Sequence, residues 1–229
     1  MEIIEKNLKK QKQIIFGIGY FADQIFRYLC LEGKTVEAFT VEKKYCDKKC
    51  FHDLPVIPFE ELENHFSKNS INILVCIGYN KMNQVRKRVF DRIKEKGYKI
   101  LSYTHPNATV LTDKLERGNI ILENVSIGIG CFVGEGNIFY NNSVICHDVI
   151  IHDFNYFSPS STILGGAKIK NGCFLGGNST IKNGITIEDN SLIGVNAFVR
   201  RDTRKKEVIV PANSITLDYD SFLLAEKLM

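Results

Sequence analysis

The 229 residues are 44% hydrophobic and 24% charged with a net charge of +4, a composition that supports one or two globular domains. The densest basic stretches, Lys9–Lys12 and Arg200–Lys206, are short and lack interleaved aromatics, which argues against a nucleic-acid surface. No run approaches the roughly 18 apolar residues that span a bilayer, so no membrane insertion is expected. Met1–Lys6 does not read as a secretory leader, and seven scattered cysteines read as reduced thiols in the cytoplasm.

In chain order, Ile14-Ile15-Phe16, then Gly17-Ile18-Gly19-Tyr20-Phe21-Ala22, then the apolar-periodic Gln24–Leu31 predict a strand, a glycine turn and a helix. The Gly17-x-Gly19-x-x-Ala22 spacing suits a phosphate at a helix start, and equally suits a plain tight turn. Thr35–Val41 predicts a second strand. The stretch after it, Thr40-Val41-Glu42-Lys43, places no acid cleanly for a ribose, and about 100 residues supply little sheet for a dinucleotide oxidoreductase. A nucleotide-sugar is therefore expected rather than NAD. Cys46, Cys50 and His52, with His65 further on, lack a second ligand pair and are read as loop residues, not a metal site. Ile71–Ile77 predicts a third strand, followed by a turn at Gly78-Tyr79-Asn80 on the carboxyl edge of the sheet, where ligands bind. Gly17, Gly19, Tyr20, Gly78, Tyr79 and Asn80 are thus the candidate substrate-binding residues. Lys81–Gly97 predicts a basic amphipathic helix and Ile100–Tyr103 a short exit strand. Residues 1–104 read as a small Rossmann-like α/β domain.

From Ile121 the pattern changes to a period of six: Ile121, Ile127, Val133, Phe139, Ile145, Ile151, Phe157, Ile163, Ile169, Leu175, Ile181, Ile187, Ile193 and Val199. At 44% hydrophobic content, fourteen apolar residues in one register arise by chance with a probability on the order of 10⁻⁵. Two positions earlier the residue is mostly small, as at Cys131, Ser143, Ser161, Ala167 and Ser179. Three positions later it is mostly a turn former, as at Gly130, Gly136, Asn142, Asp148, Gly166 and Asn178. Such hexapeptides build a parallel β-helix, with the large residues stacked inside. The prism is assigned to residues 105–205, beginning at His105-Pro106-Asn107 with an irregular excursion at Asp113–Gly118. Residues 206–229 form a tail, with a short helix expected over Tyr219–Met229.

His147-Asp148 falls at a corner, two and three residues past the interior Ile145, so the imidazole should project outward. A histidine beside a carboxylate suits removal of a proton from an attacking amine or hydroxyl. A solvated turn histidine is the plainer reading. His152 lies five residues on, but the third histidine of a zinc hydratase would fall near Leu111, and His105 is out of register.

Together, the glycine turn at Gly17, the Ile77-Gly78-Tyr79-Asn80 turn, His105-Pro106-Asn107-Ala108, His147-Asp148 and the hexapeptide ladder resemble the NeuD/PglD-like sugar acetyltransferases. The likeness runs over nearly the whole chain. It implies a left-handed β-helix, a homotrimer with active sites between subunits, acetyl-CoA as co-substrate and a nucleotide-sugar acceptor. It further implies His147 as general base, Asp148 as its orienting carboxylate, and a Gly165 backbone N–H that polarises the thioester. Tyr156, Gly165, Gly166 and Gly177 become the candidate cofactor-binding residues. This sequence departs from the pattern in three places. Tyr20 and Phe21 replace the end of the usual Gly-x-x-Gly-His turn, and Tyr156 stands where a second histidine is common. Val210-Pro211-Ala212-Asn213-Ser214 replaces a Gly-Asn-Pro-Ala-Lys stretch that touches CoA. The implied reaction is N-acetylation of a nucleotide-linked amino-deoxysugar in surface-polysaccharide synthesis. Cys146 adjoins His147 but should face away from it on the strand, so no acyl-enzyme is expected. O-acetylation of a sugar or sialic acid, a non-catalytic trimeric scaffold and a nucleotide-binding sensor remain as alternatives.

Overall fold

Three apolar segments pair to start the first sheet in a computed structural model that describes residues 12–214 and 222. Strand β1 (Lys12–Phe16) lies between β2 (Ala38–Val41) and β5 (Ile71–Val75), parallel to both. Every residue of β2 and β5 is buried, as in parallel strands covered on two faces. Helix α1 (Tyr20–Leu31) buries Ala22, Ile25 and Leu29, and α2 (Gln84–Glu95) buries Val89, Phe90 and Ile93, the three-four spacing of an apolar stripe. A hairpin of β3 (Cys50–Phe51) and β4 (Leu54–Pro58) adds to β2, and β6 (Lys99–Ile100) adds to β5, giving the order β3-β4-β2-β1-β5-β6.

Some boundaries differ from expectation. The second strand starts at Ala38 rather than Thr35, and the third ends at Val75. Helix α2 starts only at Gln84 because Lys81, Met82 and Asn83 all adopt left-handed backbone angles. The exit strand is two strands: Lys99–Ile100 closes the sheet, and Tyr103–Thr104 already pairs with Ile120–Ile121 of the prism. The helix expected over Tyr219–Met229 lies outside the described residues apart from Phe222.

The β-helix is three-sided. Its strands pair in parallel with those 18 residues on, for example Ser126 with Val144 and Val144 with Thr162. One face carries Tyr103–Thr104, Ile120–Ile121, Ile138–Phe139, Tyr156–Phe157, Phe174–Leu175, Leu192–Ile193 and Val208–Ile209. A second carries Thr109–Val110, Val144–Ile145 and their partners, and a third Phe132–Val133, Ile150–Ile151, Lys168–Ile169 and Thr186–Ile187. The stretch at Asp113–Gly118 stays attached through a Leu115–Val133 bridge. All fourteen ladder residues from Ile121 to Val199 are at most 2% exposed, so the period of six is the interior of the prism.

The corners repeat as strictly. Every sixth residue from Gly118 to Asn196 has a positive φ, including Phe154 (56°) and Ser160 (60°), which the turn-former pattern did not mark. A bulky aromatic in that region is strained and persists only where its surroundings hold it. Phe154 is held by α2: its ring meets Phe90 edge-on at 5.2 Å, in the core shared with β1 and β5. The outward Tyr103, Ile120, Ile138 and Tyr156 of the first prism face join the core of Ala22, Ile25 and Leu29 in the same way. The sheet domain therefore covers one prism face.

Candidate active site

The prism corner places His147. Its Nδ1 lies 2.9 Å from Asp148 Oδ2, and the two side chains are 68% and 69% exposed. With Nδ1 turned to the carboxylate, a neutral imidazole keeps its proton there and presents Nε2 as the acceptor. That Nε2 lies over Gly165, one coil further on: a Cβ at residue 165 would come within 2.5 Å of it. Only glycine leaves the ring this place. The neighbouring Gly166 N–H donates to His147 O at 3.0 Å, tying the two corners together. His147, Asp148, Gly165 and Gly166 are thus brought into one corner, exposed to anything that docks against it.

The sheet domain makes a separate cleft of about 470 Å³. Gly17, Gly19 and Tyr20 line one wall, Gly78, Tyr79 and Asn80 another. The prism supplies Tyr140 and Tyr156 as floor. All six candidate substrate-binding residues meet here. Tyr156 belongs to this cleft rather than to the His147 corner. Its ring stacks on Phe174 at 5.4 Å and meets Tyr79 at 5.0 Å. Burial pushes the Tyr156 phenol far above its ordinary pKa, so it stays protonated as a hydrogen-bond donor. A second recess, about 510 Å³, continues past Gly17 and Asn80 toward Val41, Tyr45 and Val89. Glu42, directly after β2, faces it, but its carboxylate pairs with Arg88 at 2.7 Å and with Arg92.

Within one chain the corner and the cleft are on opposite sides of the prism. The cleft abuts the face built on Ile138–Phe139 and Tyr156–Phe157. His147 lies between Val144–Ile145 and Ile150–Ile151, at the corner where the other two faces meet. Gly177 is at a third place, the corner between the first and second faces, stacked under Pro159.

Other singled-out residues are elsewhere. His52 turns from the cysteines to Asp23 (Nε2 to Oδ1 2.6 Å) and stacks on Phe26 at 4.6 Å. Cys46 Sγ approaches the carbonyls of Lys48 and Val56. His105 accepts the Asn107 N–H on Nδ1, and its ring lies edge-on to Tyr28 at 5.2 Å.

Sequence reasoning missed Arg86. It reads as one more cation on a basic helix, yet it is 1% exposed and all its hydrogen bonds go to backbone carbonyls. Burial pulls its pKa down to about 9, which still leaves it charged at neutral pH. It missed also the asparagine ladder inside the prism. Asn119 Oδ1 accepts the Asn137 N–H at 2.8 Å, Asn137 Oδ1 accepts the Asn155 N–H at 2.8 Å, and Asn155 Oδ1 accepts the Cys173 N–H at 2.7 Å. The 18-residue recurrence of asparagine was the signal for it.

Residues 166–201 match the family model of the bacterial transferase hexapeptide (six repeats). The prism is a hexapeptide-repeat β-helix. No curated protein matches the sequence. Among solved structures, the acetyltransferase domain of PglB from Neisseria gonorrhoeae FA1090 aligns with a TM-score of 0.77 at 20% identity, over 88% of this chain and 97% of that one. A mutant GDP-perosamine N-acetyltransferase from Caulobacter crescentus, solved with CoA and GDP-perosamine, aligns at 0.77 and 22% identity over 88% and 94%. WeeI from Acinetobacter baumannii AYE aligns at 0.78 and 16% identity over 88% and 97%. At these identities the likeness establishes a common fold, sheet domain and prism together. No helix among the described residues is long and apolar enough to cross a membrane.

Proposed function

We propose that this protein is an acetyl-CoA-dependent acyltransferase that acetylates the amino group of a nucleotide-linked amino-deoxysugar. It works as a homotrimer in the cytoplasm, in surface-polysaccharide synthesis. Residues 1–104 act as the Rossmann-like nucleotide-sugar domain, 105–205 as the left-handed β-helix, and 206–229 as the tail. The observation that carries the reading is the His147–Asp148 pair seated over Gly165, with Nε2 unblocked by its carboxylate partner. Two solved proteins of this fold support it: PglB's acetyltransferase domain was captured with acetyl coenzyme A, and PerB from Caulobacter crescentus with CoA and GDP-perosamine.

In this reading the amine lone pair attacks the thioester carbonyl carbon while His147 Nε2 takes the amine proton. Asp148 fixes the tautomer and stabilises the imidazolium. The Gly165 N–H, which has no acceptor among the described residues, receives the carbonyl oxygen as it becomes negative. The C–N bond then holds as the C–S bond breaks, and the imidazolium returns its proton to the departing CoA sulfur. Gly166 and Gly177 contact the donor or its surroundings, and Tyr156 joins them from the cleft floor of the neighbouring copy. Gly17, Gly19, Tyr20, Gly78, Tyr79 and Asn80 hold the acceptor. Because corner and cleft are on opposite sides of one prism, the cleft that serves a given His147 comes from a neighbouring copy. All seven cysteines are free thiols, which suits a reducing compartment.

The test is thiol release from acetyl-CoA against a panel of UDP-, GDP- and dTDP-linked 4-amino-deoxysugars, with sialic acid and neutral sugars alongside. Release with one amino-sugar, lost in His147→Ala, is expected. Release with only hydroxyl acceptors moves the assignment to O-acetylation, and no release with no CoA binding removes the enzymatic reading.

A further inference from the structure

The loop that carries Gly78, Tyr79 and Asn80 is tied down by a single buried cation. Arg86 Nη1 donates to Gly78 O at 2.7 Å and to Ile77 O at 3.3 Å, on the cleft loop. Its Nε donates to Gly136 O at 2.9 Å and its Nη2 to Asn155 O at 3.0 Å, on two successive coils of the prism. One guanidinium thus joins the ligand loop to the rigid body beneath it. The three left-handed residues Lys81–Asn83 turn the chain so that α2 starts facing this junction. Asn83, 1% exposed, adds bonds from Nδ2 to Gly172 O and Cys173 O at 3.2 Å each.

Stability alone is a poor reason for this arrangement. A buried charge held only by carbonyl dipoles carries a large desolvation cost, and apolar residues of similar volume often serve a core as well. The planar fork does offer several directional donors at fixed angles, which neither an apolar side chain nor a lysine reproduces. Its donors divide between loop and prism, so what it fixes is the distance between them. Tyr79 is 53% exposed, and its ring is set 5.0 Å from both Tyr156 and Phe174 only while the loop keeps this height.

We propose that Arg86 is the positioning residue of the cleft, holding the Ile77–Asn80 loop at fixed height over the prism so that the nucleotide-sugar meets a preformed wall. This rests on the proposed use of the cleft for a nucleotide-linked acceptor. Arg86 touches no reacting atom; it acts through Gly78 and Tyr79. The expected consequence is selective: acceptor binding depends on Arg86, and the His147 corner, which it does not touch, is indifferent to it.

The experiment compares wild type, Arg86→Lys, Arg86→Met and Phe154→Leu, the last a change at the same junction away from the loop. Hydrogen exchange is followed over residues 77–82 and, at the His147 corner, over 144–151 and 162–166. UDP, GDP, dTDP and acetyl-CoA binding are measured by calorimetry. Both Arg86 variants should exchange faster over 77–82 and bind the preferred nucleotide at least tenfold more weakly, with acetyl-CoA affinity and exchange over 144–151 and 162–166 unchanged. Phe154→Leu should lower the melting temperature without this selectivity. If Arg86→Met fails to fold, Arg86→Lys carries the test. Wild-type nucleotide affinity in the Arg86 variants, or faster exchange spread evenly over the chain, overturns the proposal. If wild type binds none of UDP, GDP and dTDP, the nucleotide-sugar reading fails, while the exchange pattern still decides whether Arg86 holds the loop.

Discussion

In the prism, Ile145 meets Ile127 one coil before it and Ile163 one coil after it, and the same register repeats through the stack. In the sheet domain, Ile14 pairs with Ala38 on one side and with Ile73 on the other, across two long crossovers. The prism is a one-dimensional stack with a single kind of contact, while the sheet domain depends on segments far apart in the chain. Their surfaces differ for the same reason. The stack leaves its corner side chains outside, and one of those corners presents His147 and Asp148. The sheet domain gathers unlike loops, and where they meet it leaves a cleft.

That contrast is broken most strongly at the corner itself. His147→Ala should lower turnover by roughly 10²–10⁴-fold with acetyl-CoA affinity nearly intact, read from thiol release and calorimetry. A loss under about tenfold removes the base role. The stack comes next. Phe157, stacked on Phe139 at 4.6 Å inside the prism, should cost about 3–5 kcal/mol of stability when truncated to alanine in denaturant unfolding. Asn137→Ala leaves the buried Asn155 N–H without its acceptor, an expected loss of about 1–3 kcal/mol in the same assay. The smallest effect belongs to the edge of the sheet domain. The Lys12–Glu37 pair is 3.0 Å long but half-exposed, so Lys12→Ala should cost under about 1 kcal/mol, and less in high salt.

The two regions were also unequally legible. Ile121 through Val199 declared the prism because a stacked coil writes its interior into the sequence at a fixed period. His147 was placed at a corner by counting two residues from Ile145. The same count could not tell that Phe154 and Ser160 turn left-handed, since neither residue type favours that angle; the stacked corner imposes it, and for Phe154 the packing of α2 adds to it. The Cys50–Phe51 and Leu54–Pro58 hairpin escaped notice because its first strand has two residues, Pro55 and Pro58 argue against a second, and His52-Asp53 is an unusual turn pair. Arg86 was invisible for a deeper reason. Its four acceptors come from Ile77, Gly78, Gly136 and Asn155, which only the folded junction brings together. Tyr156 fell on the cleft rather than beside His147 because nine residues carry the chain around a corner and onto another face.

The central claim is that a complete site needs the His147 corner of one copy and the cleft of another. Subunit exchange tests it most directly. His147→Ala removes the corner function, and Gly78→Val fills the cleft, since a Cβ at residue 78 meets nothing within 4 Å and so projects into open space. Each variant alone should be inactive. After exchange, random mixed trimers should regain about a quarter of wild-type activity, because each site then draws its corner and its cleft independently from different copies. No recovery after exchange has been verified by mass would mean that both halves serve from the same chain, and would contradict the account.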